Sequence, residues 1–406
     1  MRTTLLLAIC LVTIPCVEIA NAEFQIGGYY KNFFTIFDSP LENEPVTGAV
    51  VNRCRLNLSY AFAAPISFAL SYDFAPRVQD PSLFSESPIA VSIPPHQYRV
   101  VDLESRFYPN ENDPTGSVGI YHNLDRAFVE FSTDFADISV GRDAIAWGSA
   151  RVVNPTDVLT PFTYDQLDTE DRIGVDAVRV RVPIGAMGEW DTGYIFGEGF
   201  KFEKSAFYLR SQLNAAETDF SVSLVGFQKH LLAGLDMARG IGGAGFWLEV
   251  AYVFVESFAR DADTESNYLR ASTGLDYSFG EKTYGFIEYH YNGAGAKAPE
   301  NYIANLDQPA YTQGSVYLMG IHYLAPGFSY QLTPLISSSG QMLFNLSDLS
   351  IWVGPQVEYN IAEDIYLSAG GFLNIGKRLE NKKTPEFQSE FGSYPNVIFT
   401  SFRAYF

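Results

Sequence analysis

The sequence predicts an all-β chain that folds as a single transmembrane antiparallel β-barrel of about eighteen strands. Three observations predict it. Apolar and polar residues alternate over stretches of about ten residues, short and long connections alternate between these stretches, and the chain ends on an aromatic residue, Phe406. A soluble β-sandwich would show the same alternation within its strands, but it gives no reason for short and long connections to alternate.

The amino-acid composition argues against several other classes of protein. The chain has 406 residues, with 27 Lys and Arg against 47 Asp and Glu, a net charge of -20, 15% aromatic residues and 18% charged residues. Disordered and coiled-coil chains have few aromatics and many charges, which is the opposite pattern. The excess of acid also argues against binding to phosphate backbones, so we expect no nucleic-acid partner.

Residues 1–22 have the pattern of a cleavable signal peptide. Arg2 precedes the apolar run Leu5 to Val12, and Ala20-Asn21-Ala22 forms a small-x-small cleavage site before Glu23. The predicted organisation is a signal peptide at 1–22 followed by a barrel at 23–406. Cys54 is then the one cysteine left, so no intramolecular disulfide can form, and no Cys/His spacing suits a metal or haem. We expect no cofactor.

The alternation is clearest between residues 53 and 60, where Arg53, Arg55, Asn57 and Ser59 oppose Cys54, Leu56, Leu58 and Tyr60. The pattern of strands with one polar and one apolar face recurs along the chain. The predicted strands, in order, are 23–37, 49–62, 66–76, 120–132, 136–147, 173–183, 188–197, 203–213, 217–228, 231–238, 245–258, 267–280, 283–294, 314–324, 328–338, 349–360, 364–376 and 393–406. Sixteen strands is the alternative count, if the hairpin around Lys229 to Leu232 does not form.

The connections between these strands alternate in length. Short turns such as Gly280 to Lys282 and Pro326 to Phe328 follow one end of the strands. Longer polar segments follow the other end, at 38–48, 77–119, 148–172, 259–266, 295–313, 339–348 and 377–392. Short periplasmic turns and long extracellular loops are typical of outer-membrane barrels, and an even strand number places both termini in the periplasm.

One block of sequence carries a family resemblance. Leu124-Asp125-Arg126-Ala127, the run from Val140 to Gly148, and Val153-Asn154-Pro155-Thr156-Asp157 together resemble a motif of porin-like Gram-negative outer-membrane barrels, including those of the alginate-export type. The final aromatic of an alternating strand is also similar to the signature that the barrel assembly machinery reads. The resemblance implies a cell outer membrane location, with membrane lipid and that machinery as partners.

Segment 148–172 is apolar for an exposed loop, because it contains Val152, Val153, Leu159 and Phe162. We expect it to fold into the lumen and narrow it; an extracellular loop packed on its neighbours is the alternative. Its acids would form the constriction: Asp157, Asp165, Asp168, Glu170 and Asp171.

The polar faces of the first strands are rich in bases, which predicts a basic wall opposite that loop and a field across the narrowest point. The predicted lining residues are Lys31, Arg53, Arg55, Arg126, Arg179, Arg181 and Arg210, with Arg142 added if a bulge at Gly141 turns it inward. The alternative is that these arginines pair with carboxylates such as Glu130 and Asp176 simply to satisfy the interior.

These features favour a passive channel for small hydrophilic solutes, with anions among them. Two alternatives remain open: a sheath around a periplasmic or extracellular multihaem cytochrome in an electron conduit, and an export pore for an acidic polysaccharide. An enzyme is not expected, because the five histidines are dispersed and no G-x-S-x-G motif occurs. His290 and His322 fall on neighbouring predicted strands and could approach one another.

Overall fold

The structure, a computed structural model, describes residues 23–39, 45–62, 65–84, 98–110, 112–114, 116–258, 267–379 and 386–406. The predicted signal peptide 1–22 and the predicted loop 259–266 lie outside the described residues. Nineteen strands are found: β1 Glu23–Phe37, β2 Thr47–Ala61, β3 Ile66–Gln79, β4 Ser105–Tyr108, β5 Val118–Ser132, β6 Asp137–Asp143, β7 Val175–Ile184, β8 Gly188–Ile195, β9 Ala206–Ala215, β10 Thr218–Phe227, β11 His230–Ile241, β12 Ala244–Phe254, β13 Tyr268–Phe279, β14 Thr283–Asn292, β15 His322–Thr333, β16 Ile336–Asn345, β17 Ser350–Ala362, β18 Ile365–Ile375 and β19 Val397–Tyr405.

Eighteen of these strands form one closed antiparallel barrel, as the sequence predicts. Each strand pairs with its neighbours along the chain, and β1 closes the ring by pairing with both β2 and β19. The short β4 is an addition to the ring. It pairs with the part of β5 that extends beyond the end of β6. Just before β4 in the chain, the carbonyl of Tyr98 accepts the backbone N–H of Asp176 of β7 at 2.9 Å. Residues 98–108 therefore complete the wall where β6 is short.

The two faces of each strand differ as the alternation predicts. On β1, Phe24 and Ile26 are 57% and 60% exposed on the outside, whereas Tyr29 and Lys31 are buried inside. Cys54 is a free cysteine on the exterior of β2. A continuous apolar exterior around a polar interior is the arrangement that lipid on one side and water on the other favour.

Two predicted strands are wrong in position. The sequence suggests 314–324 and 328–338 with a turn at Pro326, but the strands are β15 at 322–333 and β16 at 336–345. Pro326 lies inside β15, opposite Ile287 of β14, and the pairing with β16 omits Ala325 and Pro326. A proline has no N–H to donate, so a strand accepts it where the ladder is locally interrupted.

The apolar residues mistaken for a strand belong to a loop folded into the barrel. Val316, Tyr317, Leu318 and Met319 are buried, next to two short helices, α1 (Tyr302–Leu306) and α2 (Pro309–Thr312). They pack with residues of segment 148–172 and of the β18–β19 loop in three apolar clusters. No helix among the described residues has the length and apolar character needed to cross a membrane.

Candidate functional site

Segment 148–172 lies across the barrel interior. Its first half is held by two acids on the inward faces of β12 and β14. Oε1 of Glu249 accepts hydrogen bonds from the backbone N–H and the hydroxyl of Thr156, at 2.8 and 2.7 Å. Its Oε2 accepts the backbone N–H groups of Ser149 and Ala150, at 3.2 and 3.1 Å. A buried carboxylate requires such donors, and here one side chain anchors four of them.

Glu288 acts in the same way on the next residues of the segment. Its Oε2 accepts the backbone N–H of Arg151 at 2.7 Å and the indole N–H of Trp247 at 3.0 Å. Its Oε1 accepts the backbone N–H of Val153 at 3.0 Å. Sequence reasoning missed both glutamates. The sequence does contain a signal for them. In the run Phe246 to Phe254 a single acid stands at an inward position among apolar and aromatic residues, and a buried acid of this kind needs hydrogen-bond donors from another part of the chain.

The second half of the segment is held by bases on the opposite wall. Nζ of Lys31 lies 2.9 Å from Oδ1 of Asp168 and 2.7 Å from Oε2 of Glu170. Arg53 Nη1 contacts Asp168 at 3.1 Å. Burial by itself would raise the pKa of Asp168, but the hydrogen bond from Lys31 and the charges of Lys31 and Arg53 outweigh it and lower that pKa below its usual value.

The other acids of the segment have different surroundings. The carboxylate of Asp171 accepts a hydrogen bond from the hydroxyl of Tyr29 at 2.6 Å. Asp157 is buried and lies 2.6 Å from Nη1 of Arg172, inside the segment itself; burial raises the pKa of Asp157. Asp165 is exposed. Three of the five predicted acids, Asp168, Glu170 and Asp171, therefore meet the wall.

Most of the predicted lining bases are paired. The closest salt-bridge contacts are Arg55 to Asp125 at 2.9 Å, Arg126 to Asp125 at 2.6 Å, Arg179 to Asp191 at 2.7 Å and Arg181 to Glu130 at 2.6 Å. Arg210 differs: it makes no salt bridge to a described residue, and its Nη1 donates to Oε1 of Gln212 at 3.0 Å. The wall is rich in arginine, but its positive charge is largely compensated by neighbouring carboxylates.

The expected bulge lies in β5, on the neighbouring strand. The pairing of β3 with β5 shifts between Ser71 and Tyr72, whose partners are Arg126 and Leu124, so Asp125 is the extra residue. Gly141 has a φ of +131°, yet β6 pairs without a shift through it. The extra residue lets Asp125 and Arg126 both take part in the interior ion pairs.

Arg142 is accordingly not turned inward by a bulge. It stands opposite Asp176 in the register of β6 with β7, and its Nε lies 2.7 Å from Oδ1 of that residue. Its two Nη atoms donate to the carbonyls of Leu124 and Val101, at 2.9 and 2.8 Å. Arg142 therefore ties residues 98–101 to the wall above β6, and the expectation that it lines the lumen is wrong.

The two histidines on neighbouring strands do not meet. His290 is buried and stands opposite Tyr323, while His322 is exposed and stands opposite Tyr291. They lie on opposite faces of the barrel wall. Among the described residues, no group of three or more His, Cys, Asp and Glu side chains is arranged to hold a metal ion.

Two cavities lie inside the barrel. A cavity of about 590 Å³ lies between the segment and the inward faces of β14 to β19. A second cavity, of about 440 Å³, lies where β1 begins, beside Arg179 and Arg181. Since both lie inside the barrel and the segment has backbone contacts on one wall and ion pairs on the other, these spaces form the candidate path through the lumen.

Comparison with solved structures identifies the same architecture. OpdK from Pseudomonas aeruginosa, solved with vanillate, superposes with a TM-score of 0.57 at 7% identity, covering 95% of this chain and 98% of that one. The outer membrane protein OprD from the same organism gives 0.55 at 10% identity, covering 94% and 93%. This is the OprD-type barrel fold.

The OprD-type fold also occurs in OccAB4 from Acinetobacter baumannii, with a TM-score of 0.55 and 9% identity over 95% of this chain and 98% of that chain. No protein-family model matches the chain, and no curated protein matches it in sequence. At these identities the likeness extends to strand number and closure, while the residues of the lumen are this chain's own.

Proposed function

We propose that this chain is an outer-membrane porin that passes small hydrophilic solutes, anions among them, by passive diffusion. The observation that carries the proposal is segment 148–172, which crosses a water-facing lumen and leaves a cavity of about 590 Å³ beside it. A narrowed, polar passage through a barrel with an apolar exterior is the physical requirement for selective diffusion.

Further support comes from the shared fold and from the sequence. OprD-type barrels such as OpdK, solved with vanillate, have the same closed architecture. The motif block between Leu124 and Asp157, which resembles that of porin-like and alginate-export-type barrels, favours the same class. We place the chain in the outer membrane of a Gram-negative cell, surrounded by lipid, inserted by the barrel assembly machinery and exported through a signal peptide at 1–22.

The two alternatives are less favoured by the geometry. A sheath would have to enclose a cytochrome, and a polysaccharide exporter would have to pass a long chain. Here three segments of the chain itself occupy the interior, and Val153, Met319 and Phe391 of these segments are fully buried. The room that either cargo would need is therefore taken up by the protein's own loops.

The test is single-channel conductance of the purified barrel in planar bilayers, combined with a thiol-accessibility experiment. Cys54 is first replaced by alanine, so that an introduced cysteine is the one target in the mature chain. In that background, Gln356→Cys places a thiol in the cavity and Val357→Cys places one on the exterior, where Val357 is 44% exposed.

We expect stable open steps that shrink when a water-soluble, positively charged methanethiosulfonate reagent modifies the cysteine at position 356. The neighbouring position 357 serves as the control, because lipid shields it from the same reagent. A barrel without open steps, or one that co-purifies with a haem protein and stays closed, contradicts the proposal. Equal effects at the two positions would show that the cavity is not on the conducting path.

A further inference from the structure

The cavity beside segment 148–172 is lined by two basic residues and by no acidic residue among those described. The two bases are Arg151 and Arg172. Nη2 of Arg151 lies 2.8 Å from Oδ2 of Asp276, and Nη1 of Arg172 lies 2.6 Å from Oδ2 of Asp157. Each guanidinium already has a carboxylate partner, so the cavity presents little net charge to a solute.

The same arginines also lie near aromatic rings. The guanidinium of Arg172 lies 3.8 Å from the centre of the Phe162 ring, and that of Arg151 lies 5.2 Å from the Trp247 ring. Stacking and ion pairing together fix the planar groups in place. A carboxylate solute would have to displace these partners to gain a bidentate contact, so the cavity is poorly suited to select anions.

One wall of the cavity is a row of aromatic side chains. The ring centres of Trp352 and Phe372 are 5.2 Å apart, and those of Phe372 and Phe399 are 5.6 Å apart, on the adjacent strands β17, β18 and β19. Gly354 leaves room for this row, because a Cβ there would lie 2.4 Å from the Trp352 ring. Trp352 and Phe399 are buried, at 3% and 5% exposed, and Phe372 between them is part-exposed, so Phe372 is the apolar surface that the row presents to the lumen.

Free amides stand next to this row. Gln341 and Gln356 line the cavity, and neither side chain hydrogen-bonds to another described residue. Ser339 stands opposite Gln356 in the register of β16 with β17, and Gln341 stands opposite Gly354. Each amide supplies both donors and an acceptor, and each hydroxyl supplies a donor and acceptors. These groups are available to a solute that also carries hydroxyls.

We propose that this cavity binds a neutral, hydroxyl-rich solute with one apolar face, which is the chemistry of a mono- or disaccharide. The C–H face of a sugar ring packs on Phe372, which Trp352 and Phe399 hold in place, and its hydroxyls bond to Gln341 and Gln356. The cavity of about 590 Å³ falls within the roughly 300 to 1,000 Å³ of small-molecule sites. The inference rests on the proposed function, since binding at this place matters for a solute in transit.

The test titrates the intact barrel in planar bilayers with two probes, maltose and glucuronate. We expect maltose to interrupt the open current in a concentration-dependent manner, and glucuronate to do so with about tenfold weaker affinity, since its charge finds no unpaired partner. Isothermal titration of the detergent-solubilised barrel should give the same order, and it detects binding without relying on conduction.

Two variants assign the binding to these residues. Gln341→Leu combined with Gln356→Leu keeps the side-chain volume while removing the hydrogen bonds, and should weaken maltose binding by about tenfold or more. Val357→Thr, on the exterior next to Gln356, is the matched control and should leave maltose binding unchanged. Heat-modifiable migration in detergent gels verifies that each barrel is folded.

The outcomes separate the two proposals. A conducting channel that glucuronate blocks as tightly as maltose, or that maltose does not affect, overturns the saccharide site and leaves the porin function standing. Undiminished maltose binding in the double leucine variant also overturns it. A folded barrel that never conducts overturns the porin function, and the inference with it.

Discussion

The ammonium of Lys31 and the carboxylate of Asp168 form an ion pair 2.9 Å long between residues 137 positions apart in the chain. The side chain of Lys31 is fully buried under the segment that carries Asp168. This contact, together with those of Glu249 and Glu288 on the other wall, holds segment 148–172 across the lumen. Each end of the segment can therefore be tested separately.

Asp168→Asn should make the channel more selective for anions. The substitution removes one negative charge beside Lys31 and Arg53. Lys31 keeps Glu170 and Arg53 keeps Asp73 as partners, so the net charge of this cluster becomes more positive by one unit. A unit charge near a hydrated lumen changes the energy of a passing ion by about 1 kcal/mol, in opposite directions for anions and cations, so the anion-to-cation permeability ratio should rise about thirtyfold. The reversal potential in a salt gradient measures it.

Glu217→Gln is the control for this experiment, because Glu217 lies in a turn outside segment 148–172 and its side chain is 89% exposed. It should shift the reversal potential much less. Equal shifts in the two variants would contradict the role of the Lys31 pair.

The lowered pKa of Asp168 adds a pH test. An ordinary aspartate has a pKa of about 3.9, and the carboxylate of Asp168 stays charged to a lower pH than that. The selectivity of the wild type should therefore approach that of Asp168→Asn only below about pH 4.

Glu288→Gln should loosen the first half of the segment. The amide keeps the size of the side chain but replaces one acceptor oxygen with a donor, so the buried N–H groups of Arg151 to Val153 lose acceptors at a cost of about 1 to 3 kcal/mol. Hydrogen exchange of residues 149–156 should accelerate, and open-channel current noise should increase.

Glu217→Gln serves as the reference for that substitution, because the side chain of Glu217 is 89% exposed in a turn. It should change neither exchange nor noise. If exchange in residues 149–156 were the same in Glu288→Gln and Glu217→Gln, the anchoring role of Glu288 would be wrong.

Glu390 should make the packing of the interior loops pH-dependent. Burial raises the pKa of Glu390 to about 8, while its Oε1 accepts the backbone N–H of Met319 at 3.0 Å and its Oε2 accepts from Asn345 at 2.7 Å. A loop released into water has an ordinary glutamate pKa of about 4.3, so between about pH 4.3 and 8 the packed form holds a proton that the released form loses. The packed form therefore loses stability as the pH rises through this window.

Hydrogen exchange of residues 316–321, corrected for its intrinsic pH dependence, checks this expectation. Protection should fall between pH 6 and pH 8 and then level off, since both forms are deprotonated above the higher pKa. Glu390→Gln cannot titrate and should show no such fall. The same pH dependence in the glutamine variant would assign the effect to another group.

Gly141→Ala should destabilise the barrel. Gly141 has a φ of +131°, and a Cβ there would lie 2.3 Å from the carbonyl oxygen of Ala127. Strain of this kind costs on the order of 1 to 3 kcal/mol. Gly285→Ala is the matched control in β14, where the nearest atom lies 3.4 Å away. The urea midpoint of unfolding should fall for position 141 and change little for position 285; equal midpoints would show that the wall relaxes around the new methyl group.

The sequence alone determined the class of fold and most of the wall. β1 occupies residues 23–37 as predicted, because lipid outside and water inside require a change of polarity at every second residue, and that requirement is local. The strands around Pro326 were misplaced because an apolar stretch buried in the lumen has the same composition as a strand facing lipid. Which of the two it forms depends on contacts with Tyr302, Phe387 and other residues distant in sequence.

Only the tertiary structure decided the chemistry of the lumen. The sequence predicts the bases of the wall and the acids of segment 148–172, but it does not show that Lys31 meets Asp168, or that the bulge at Asp125 brings its carboxylate to Arg55 and Arg126. Closure of the ring places strands distant in sequence around one space, so the net charge of each site depends on partners that no local pattern specifies. The same closure sets aromatic rings from β17, β18 and β19 side by side as one wall of the cavity.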